Sequence, residues 1–251
     1  MANSVPYLVP VLDSLPPNFT LLDVGCALPS ATILAIDGSP AVISQARDAA
    51  QKANVQNVRF AVGDALDLGP TASEPGFELI KGACDVAHTH NVVMHTSDAP
   101  RALVELRSAV KVGGFVCCKE ADRACLMLWP ENQAIRRTYE VISAIMDAKG
   151  CDPYVGRKLK TYAMAAGFSS NDITVGQAPW VVSSREEREN WGGLVARTSA
   201  DAEARASIES EARCIGLEIN LEELQKGWRD WIDDDTACAS ISDIYVVCRN
   251  H

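Results

Sequence analysis

Residues 21–37 constrain the fold of this chain more than any other stretch. They read as a short apolar strand that ends at Gly25, followed by a second apolar strand that ends on Asp37. Neighbouring parallel strands need a crossover of about a dozen residues or more, usually a helix. Here Cys26 is followed directly by Ala-Leu-Pro-Ser at positions 27–30, so the expected glycine-rich loop and helix are missing.

Three explanations of this short connection stay open. The first strand is rearranged or lost from the parallel sheet, the chain is a shortened natural or engineered form, or the printed sequence omits a segment. We favour the second and third together, because the downstream sequence fits one parent fold. Under the omission hypothesis we expect no normal peptide bond, of about 1.33 Å, between the Cys26 carbonyl carbon and the Ala27 nitrogen.

Short apolar runs alternate with segments of helical period along the rest of the chain, which predicts βαβ units and a doubly wound parallel sheet. Predicted strands are residues 20–25, 32–37, 58–62, 85–90, 115–119, 173–175 and 244–248. Predicted helices are residues 40–54, 100–110, 132–148 and 155–166. The polar stretch 183–235 is too long for a loop, so we expect two or three amphipathic helices there. This divides the chain into an α/β domain, residues 1–178 and 240–251, and a helical cap, residues 179–239.

Composition narrows the class of partner. The chain has 251 residues, 47% of them apolar, and a net charge of −10, which argues against a nucleic-acid backbone or an anionic membrane as the main partner. Nine cysteines form no C-x-x-C pair, and no signal or membrane-spanning segment is evident. We therefore expect reduced, buried thiols in a cytoplasmic protein, with Cys117 and Cys118 on opposite faces of one strand. We also expect a small-molecule substrate, and a homodimer stays open.

Three predicted strand ends carry groups suited to a ligand. In doubly wound sheets, ligands bind at the carboxyl ends of the strands. Asp37 could accept hydrogen bonds from a ribose diol, Asp64 could accept from an adenine amino group, and Gly25 would allow close backbone approach. Alone, each acid is better explained as a helix cap or a turn residue, but their occurrence at successive strand ends favours a binding site.

The segment 88–95 holds three histidines at the end of the fourth predicted strand. His90 and His95 lie nearest the expected mouth of the site and are the candidates for a general base or a substrate-orienting group. The alternative is that these histidines are satisfied by neighbouring backbone groups. Zinc would need further ligands that the sequence does not supply, so we expect no metal.

These motifs together resemble those of class I S-adenosylmethionine-dependent methyltransferases, in particular the UbiE-like branch common in fungal and actinobacterial metabolism. The similar segments follow one another in the family's order and span nearly the whole chain: residues 21–26, 36–40, 63–65, 84–95, 103–114, 120–130, 165–168 and 191–193. The resemblance implies a Rossmann-like sheet of seven strands, a helical cap over the active site, S-adenosyl-L-methionine as methyl donor and S-adenosyl-L-homocysteine as product. It implies donor-binding roles for Tyr7, Asp23, Gly25, Asp37, Gly38, Asp64, Ala65 and Asn91.

Within that resemblance, Asp37 is expected on the ribose, Asp64 near the adenine and Asn91 near the methionine end, and Tyr7 ends the segment that closes over the donor. The departure is the missing glycine loop after Cys26, and Val112 stands where the family usually has proline. The leading hypothesis is methyl transfer to a small metabolite. Two alternatives keep the fold: a cyclase or rearrangement catalyst, and a non-catalytic partner subunit or regulator.

Overall fold

The structure is a computed structural model that describes residues 6–24, 32–69, 77, 80–198 and 202–251. Two expectations fall outside these residues: the role of Gly25 and the bond between Cys26 and Ala27. The strands are β1 (Thr20–Val24), β2 (Thr32–Asp37), β3 (Val58–Val62), β4 (Cys84–His90), β5 (Val110–Trp129), β6 (Ile173–Val182) and β7 (Cys238–Arg249). They form one sheet in the order β3-β2-β1-β4-β5-β7-β6. The pairings of β1 with β2 and β4, of β2 with β3 and of β4 with β5 are parallel, and the predicted α/β fold is confirmed.

Strand β1 is held in the middle of the parallel part of the sheet. Leu22 pairs with Leu34 of β2 on one side and with Ala87 of β4 on the other, and its side chain is fully buried. The explanation in which the first strand is lost from the sheet is therefore wrong. The chain between Val24 and Thr32 nevertheless remains shorter than an ordinary parallel crossover.

The helices are α1 (Val9–Asp13), α2 (Pro40–Lys52), α3 (Ala99–Ala109), α4 (Gln133–Ala148), α5 (Leu159–Ala165), α6 (Arg185–Thr198), α7 (Ala202–Cys214) and α8 (Leu221–Asp233). Local chemistry sets several of their starts. The side chains of Ser39, Asp98, Asn132 and Asn220 each accept a hydrogen bond from the backbone of the following first turn. Helices α6, α7 and α8 occupy the polar stretch in which two or three helices were expected.

Three strands are much longer than predicted, β4 begins one residue earlier, and one predicted helix is split. The fifth predicted strand, 115–119, is the middle of the longer β5, while 173–175 and 244–248 are parts of β6 and β7. In β5 the charged residues Glu120 and Asp122 lie beyond the predicted strand, yet both are buried and hydrogen-bonded. The helix expected at 155–166 begins as a 3-10 turn, Val155–Lys158, before α5.

Contacts divide the chain into two compact units. The first comprises Met1–Asp122, Tyr154–Ala178 and Asp243–His251, and the second comprises Arg123–Pro153 and Pro179–Ser242. The first unit has apolar layers on both faces of its strands. Leu22 and Cys118 belong to one layer, whereas Leu21 and Cys117 belong to the other, so the two adjacent cysteines face opposite sides as expected.

The second unit has its own core, built around two buried indoles of α8. Trp228 donates from Nε1 to Thr138 Oγ1 at 3.0 Å, and Trp231 donates from Nε1 to the Trp129 carbonyl oxygen at 3.2 Å. The eight cysteines of the described residues are free thiols, but only four are fully buried. The expectation of buried thiols is wrong for Cys125, Cys214 and Cys238, which are exposed. None of the described helices has the length and apolar character needed to cross a membrane.

Candidate active site

The carboxyl ends of β2 and β3 lie side by side in the first unit. Asp37 pairs with Val62 in the strand register, and the Gly63 N–H donates to the Asp37 carbonyl oxygen at 3.0 Å. The turns that follow the two strands therefore start next to each other, which brings Gly38 and Ala65 to the same edge as Asp37 and Asp64. A Cβ added to Gly38 would meet Gly63 O only at 3.8 Å, an ordinary contact.

Both acids use one carboxylate oxygen in a local turn. Asp37 Oδ1 accepts from the Ser39 N–H at 2.7 Å, and Asp64 Oδ1 accepts from the Leu66 N–H at 2.8 Å. Asp37 is half-buried and Asp64 is exposed. One oxygen of each acid thus stabilises a turn, as the alternative explanation of these acids predicts. A carboxylate has about four acceptor sites, so this local use is compatible with binding a ligand as well.

Asp23 and His88 form a buried pair between β1 and β4. The two residues are register partners, and Asp23 Oδ1 lies 2.9 Å from His88 Nδ1. Asp23 is 1% exposed and His88 is 3% exposed. Because a carboxylate only accepts, the Nδ1 of His88 is the donor in this pair. Asp23 was predicted to bind the methyl donor, but in the structure it orients the ring of His88.

Tyr7 is packed over this pair. Its ring stacks on Tyr245 with centroids 4.5 Å apart, and it lies 6.1 Å from the His88 ring. The Tyr7 hydroxyl and His88 Nε2 are both buried, and neither has a hydrogen-bond partner among the described residues. Burial raises the pKa of Tyr7 well above its usual value, and the neighbouring Cys117, Cys118, Asp23 and Glu120 raise it further. The tyrosine is therefore neutral and can donate.

His90 lies at the end of β4, beside a second group of charges. Its Nε2 is 3.7 Å from Asp243 Oδ2, which is also 3.1 Å from Lys119 Nζ. Lys119 is 2% exposed, whereas the His90 side chain is 24% exposed and reaches solvent. Burial acts to raise the pKa of Asp243, yet the side-chain contacts of His90 and Lys119 prevail and lower it. Asp243 therefore orients His90 as an anion.

Asn91 makes the turn after His90 in a left-handed conformation, with φ of 55°. Its Oδ1 accepts from the Ala121 N–H at 2.9 Å, and its Nδ2 lies 3.4 Å from His90 Nε2. The amide oxygen is thus used to hold the turn against β5. His95, the other predicted base, is exposed at the end of the 3-10 turn Val93–His95, unlike the buried His88.

Glu120 fixes the segment that contains these residues. Its Oε1 accepts from the N–H groups of Val92 and Val93 at 3.1 and 3.0 Å, and its Oε2 accepts from the Met94 N–H at 3.2 Å. Complete burial raises the pKa of Glu120 to about 7, although these three backbone hydrogen bonds act to lower it. Such a value is typical of carboxyl groups at functional sites.

Several residues of this cluster were not predicted from the sequence: Lys119, Glu120, Asp122, Arg157, Asp243 and Tyr245. The available signal was the placement of charged residues directly beside apolar strand runs, at 119–122 and at 243. Asp122, which is 3% exposed, receives two hydrogen bonds from the Arg157 guanidinium, one of them from Nη2 to Oδ1 at 2.7 Å. Partners so distant in sequence cannot be recognised from local patterns.

Comparisons with known proteins place this chain in a family. Residues 16–147, more than half of the chain, match the family model described as a methyltransferase domain. An uncharacterized methyltransferase of Schizosaccharomyces pombe is 24% identical over 246 residues, covering 91% of this chain and 84% of that protein.

Two solved structures have a similar fold. The [4+2]-cyclase SpnF has a TM-score of 0.57 at 19% identity, covering 100% of this chain and 82% of that chain. Phosphoethanolamine N-methyltransferase 2 of Haemonchus contortus, in complex with S-adenosyl-L-methionine, has a TM-score of 0.53 at 14% identity, covering 98% of this chain and 53% of that chain. At these identities the likenesses concern the fold alone. The match over residues 16–147 identifies the chain itself as a member of the methyltransferase domain family.

Proposed function

We propose that this protein transfers a methyl group from S-adenosyl-L-methionine to a small-molecule metabolite, with S-adenosyl-L-homocysteine as product. The proposal rests on family membership together with one observation, the placement of Asp37 and Asp64 at adjacent carboxyl strand ends. The motif order favours the UbiE-like branch. The net charge of −10 and the sequence composition support a small metabolite in preference to a nucleic acid.

The described residues fit such a donor. Asp37 is half-buried at the end of β2, where its remaining acceptor sites could take the two hydroxyls of a ribose. Asp64, exposed at the end of β3, could accept from an adenine amino group. When bound, the donor supplies an electrophilic methyl group on a sulfonium. The protein itself has to position the acceptor, exclude water and receive a proton where the acceptor must lose one.

Calorimetric titration of the complete chain with S-adenosyl-L-methionine and S-adenosyl-L-homocysteine tests the proposal. We expect saturable binding of both, weakened about ten- to hundredfold by Asp37→Asn, because a hydrogen bond to a charged acceptor contributes about 1.5–3 kcal/mol. Asparagine can still accept from Ser39, so the turn is kept. Asp48→Asn, an exposed acid on α2, is the matched control and should bind as the parent does.

A second arm addresses the short connection after Cys26. We infer that the glycine-rich loop of the donor site is missing from the printed chain, so a version with a glycine-rich loop and helix inserted between Cys26 and Ala27 is titrated in parallel. If only the chain with the insertion binds, the weak binding of the parent chain is due to the missing loop. If neither chain binds either compound, methyl transfer is rejected.

The same samples separate the alternatives. Product formed without the donor would favour a cyclase or rearrangement catalyst. A stable complex with another protein, together with no turnover, would favour a regulatory or partner subunit.

A further inference from the structure

The buried cluster around His88 contains two polar atoms that the protein does not satisfy. Buried polar groups are nearly always hydrogen-bonded, because an unmade bond leaves the desolvation of the group uncompensated. His88 Nε2 and the Tyr7 hydroxyl lack a partner among the described residues, and Tyr7 packs against the apolar cluster that contains Leu21, Val86 and Cys117. Two such atoms on residues whose rings are 6.1 Å apart indicate a place for a polar group that comes from outside the chain.

Asp23 defines what kind of group His88 can receive. Since Nδ1 donates to Asp23 Oδ1 at 2.9 Å, the neutral ring presents a lone pair at Nε2. That atom needs a donor. The neutral Tyr7 hydroxyl, by contrast, can donate to an acceptor.

Of the common acceptor groups for a methyl, a hydroxyl suits both atoms in the form that it has at neutral pH. A hydroxyl oxygen can give its proton toward Nε2 while it accepts from the Tyr7 O–H. A carboxylate cannot donate to Nε2. An amine is largely an ammonium ion at neutral pH, and it has to lose that proton before it can accept from Tyr7. A thiol could do both only as a weak donor and a weak acceptor.

We propose that His88 Nε2 and the Tyr7 hydroxyl form the binding site for a hydroxyl-bearing substrate, with Asp23 as the residue that positions His88. This deepens the proposed function, on which it rests, by assigning the methylated atom as oxygen. It also moves the role of proton acceptor from His90 and His95 to His88.

The hydroxyl oxygen forms a bond to the methyl carbon, and its proton passes to His88 Nε2. The electron pair of the broken carbon–sulfur bond stays on sulfur. The resulting imidazolium is stabilised by the Asp23 carboxylate, so no other base or co-reactant is required.

The first test observes the histidine directly. Nitrogen-15 NMR of the full chain should show His88 as the neutral tautomer with its proton on Nδ1 and a free lone pair on Nε2. Titration with phenol, as a hydroxyl probe, should shift the Nε2 resonance, whereas anisole, the same ring without a hydroxyl proton, should not. A proton on Nε2, or a lack of response to phenol, would overturn the proposal.

Substitutions separate binding from folding. Tyr7→Phe removes one hydroxyl that has no partner in the described part of the chain, so the variant should fold as before and bind phenol several-fold more weakly. His88→Gln should abolish the Nε2 response and reduce transfer of a labelled methyl group to phenol about a hundredfold or more. His251→Gln is the matched control, because that exposed histidine also pairs with an aspartate, Asp172, at 3.1 Å.

Asp23→Asn keeps an oxygen for Nδ1 but removes the charge. As the test of a positioning role, it should change the His88 tautomer or the pH dependence of methyl transfer without unfolding the chain. The outcomes also distinguish the hydroxyl site from the proposed methyl transfer on which it rests. If the donor fails to bind while phenol still contacts His88, methyl transfer fails and the hydroxyl site stands. If the donor binds and only amine or thiol probes are methylated, the hydroxyl site is refuted.

Discussion

Glu120 shows how one side chain can organise a site without reacting in it. Its carboxylate receives three backbone N–H groups that follow β4, and it thereby sets the path of the chain after His90 and Asn91. An ionised carboxylate matches three donors well, but its complete burial opposes the charge. Because of these two opposing effects, we expect the protonation of Glu120 to change the free energy of unfolding.

We therefore predict a pH-dependent contribution of Glu120 to the free energy of unfolding. The folded-state pKa is raised to about 7, above the ordinary value near 4.5, so the folded state holds the proton more tightly. The protonated Glu120 stabilises the folded state fully below pH 4.5, and this stabilisation is lost as the pH rises through 7. The total loss in the free energy of unfolding is about 3 kcal/mol. Glu120→Gln should lack this slope in chemical denaturation, while the exposed Glu140→Gln should keep it. Parallel profiles for the parent and Glu120→Gln would contradict the assignment.

At the scale of elements, α4 offers a defined test of helix capping in the second unit. Asn132 Oδ1 accepts from the Ile135 N–H at 3.1 Å, and Asn132 Nδ2 donates to the Gly227 carbonyl oxygen at 3.0 Å. Asn132→Ala loses both the cap and the bond to α8, and we expect it to lower the free energy of unfolding by about 1–2 kcal/mol. Urea denaturation measures this. Asn132→Asp keeps the cap but loses the N–H that bonds Gly227, so its stability should fall between those of the parent and Asn132→Ala. If Asn132→Ala is as stable as the parent, neither bond contributes to stability.

The strands of the sheet differ in how readily the sequence predicts them. Strands β1 to β4 are short, and their bounds follow from the sequence nearly to the residue. Strand β5 does not, because Lys119, Glu120 and Asp122 resemble a strand end until their partners Asp243, Met94 and Arg157 are seen. Local pattern carries no information on such long-range pairs. For the same reason Asp37 and Asp64 could be predicted from strand ends, whereas the Asp23–His88 pair could not.

For the molecule as a whole, β1 is the element on which the fold and the proposed activity both depend. Leu22 is fully buried between β2 and β4, so Leu22→Ala should lower the free energy of unfolding by about 2–5 kcal/mol through a cavity in the core of the first unit. Thermal or urea unfolding measures this loss. A change below about 1 kcal/mol would mean that β1 is not stably held in the sheet.

The family match and the neighbouring acids account for a methyltransferase, and a crystal structure of the complete chain grown with S-adenosyl-L-homocysteine tests that account most directly. We predict electron density for the nucleoside between the two strand ends, with its ribose hydroxyls on Asp37 and its adenine beside Asp64. Clear density for the protein with none for the compound at this edge, at concentrations that saturate other members of the family, would contradict the account.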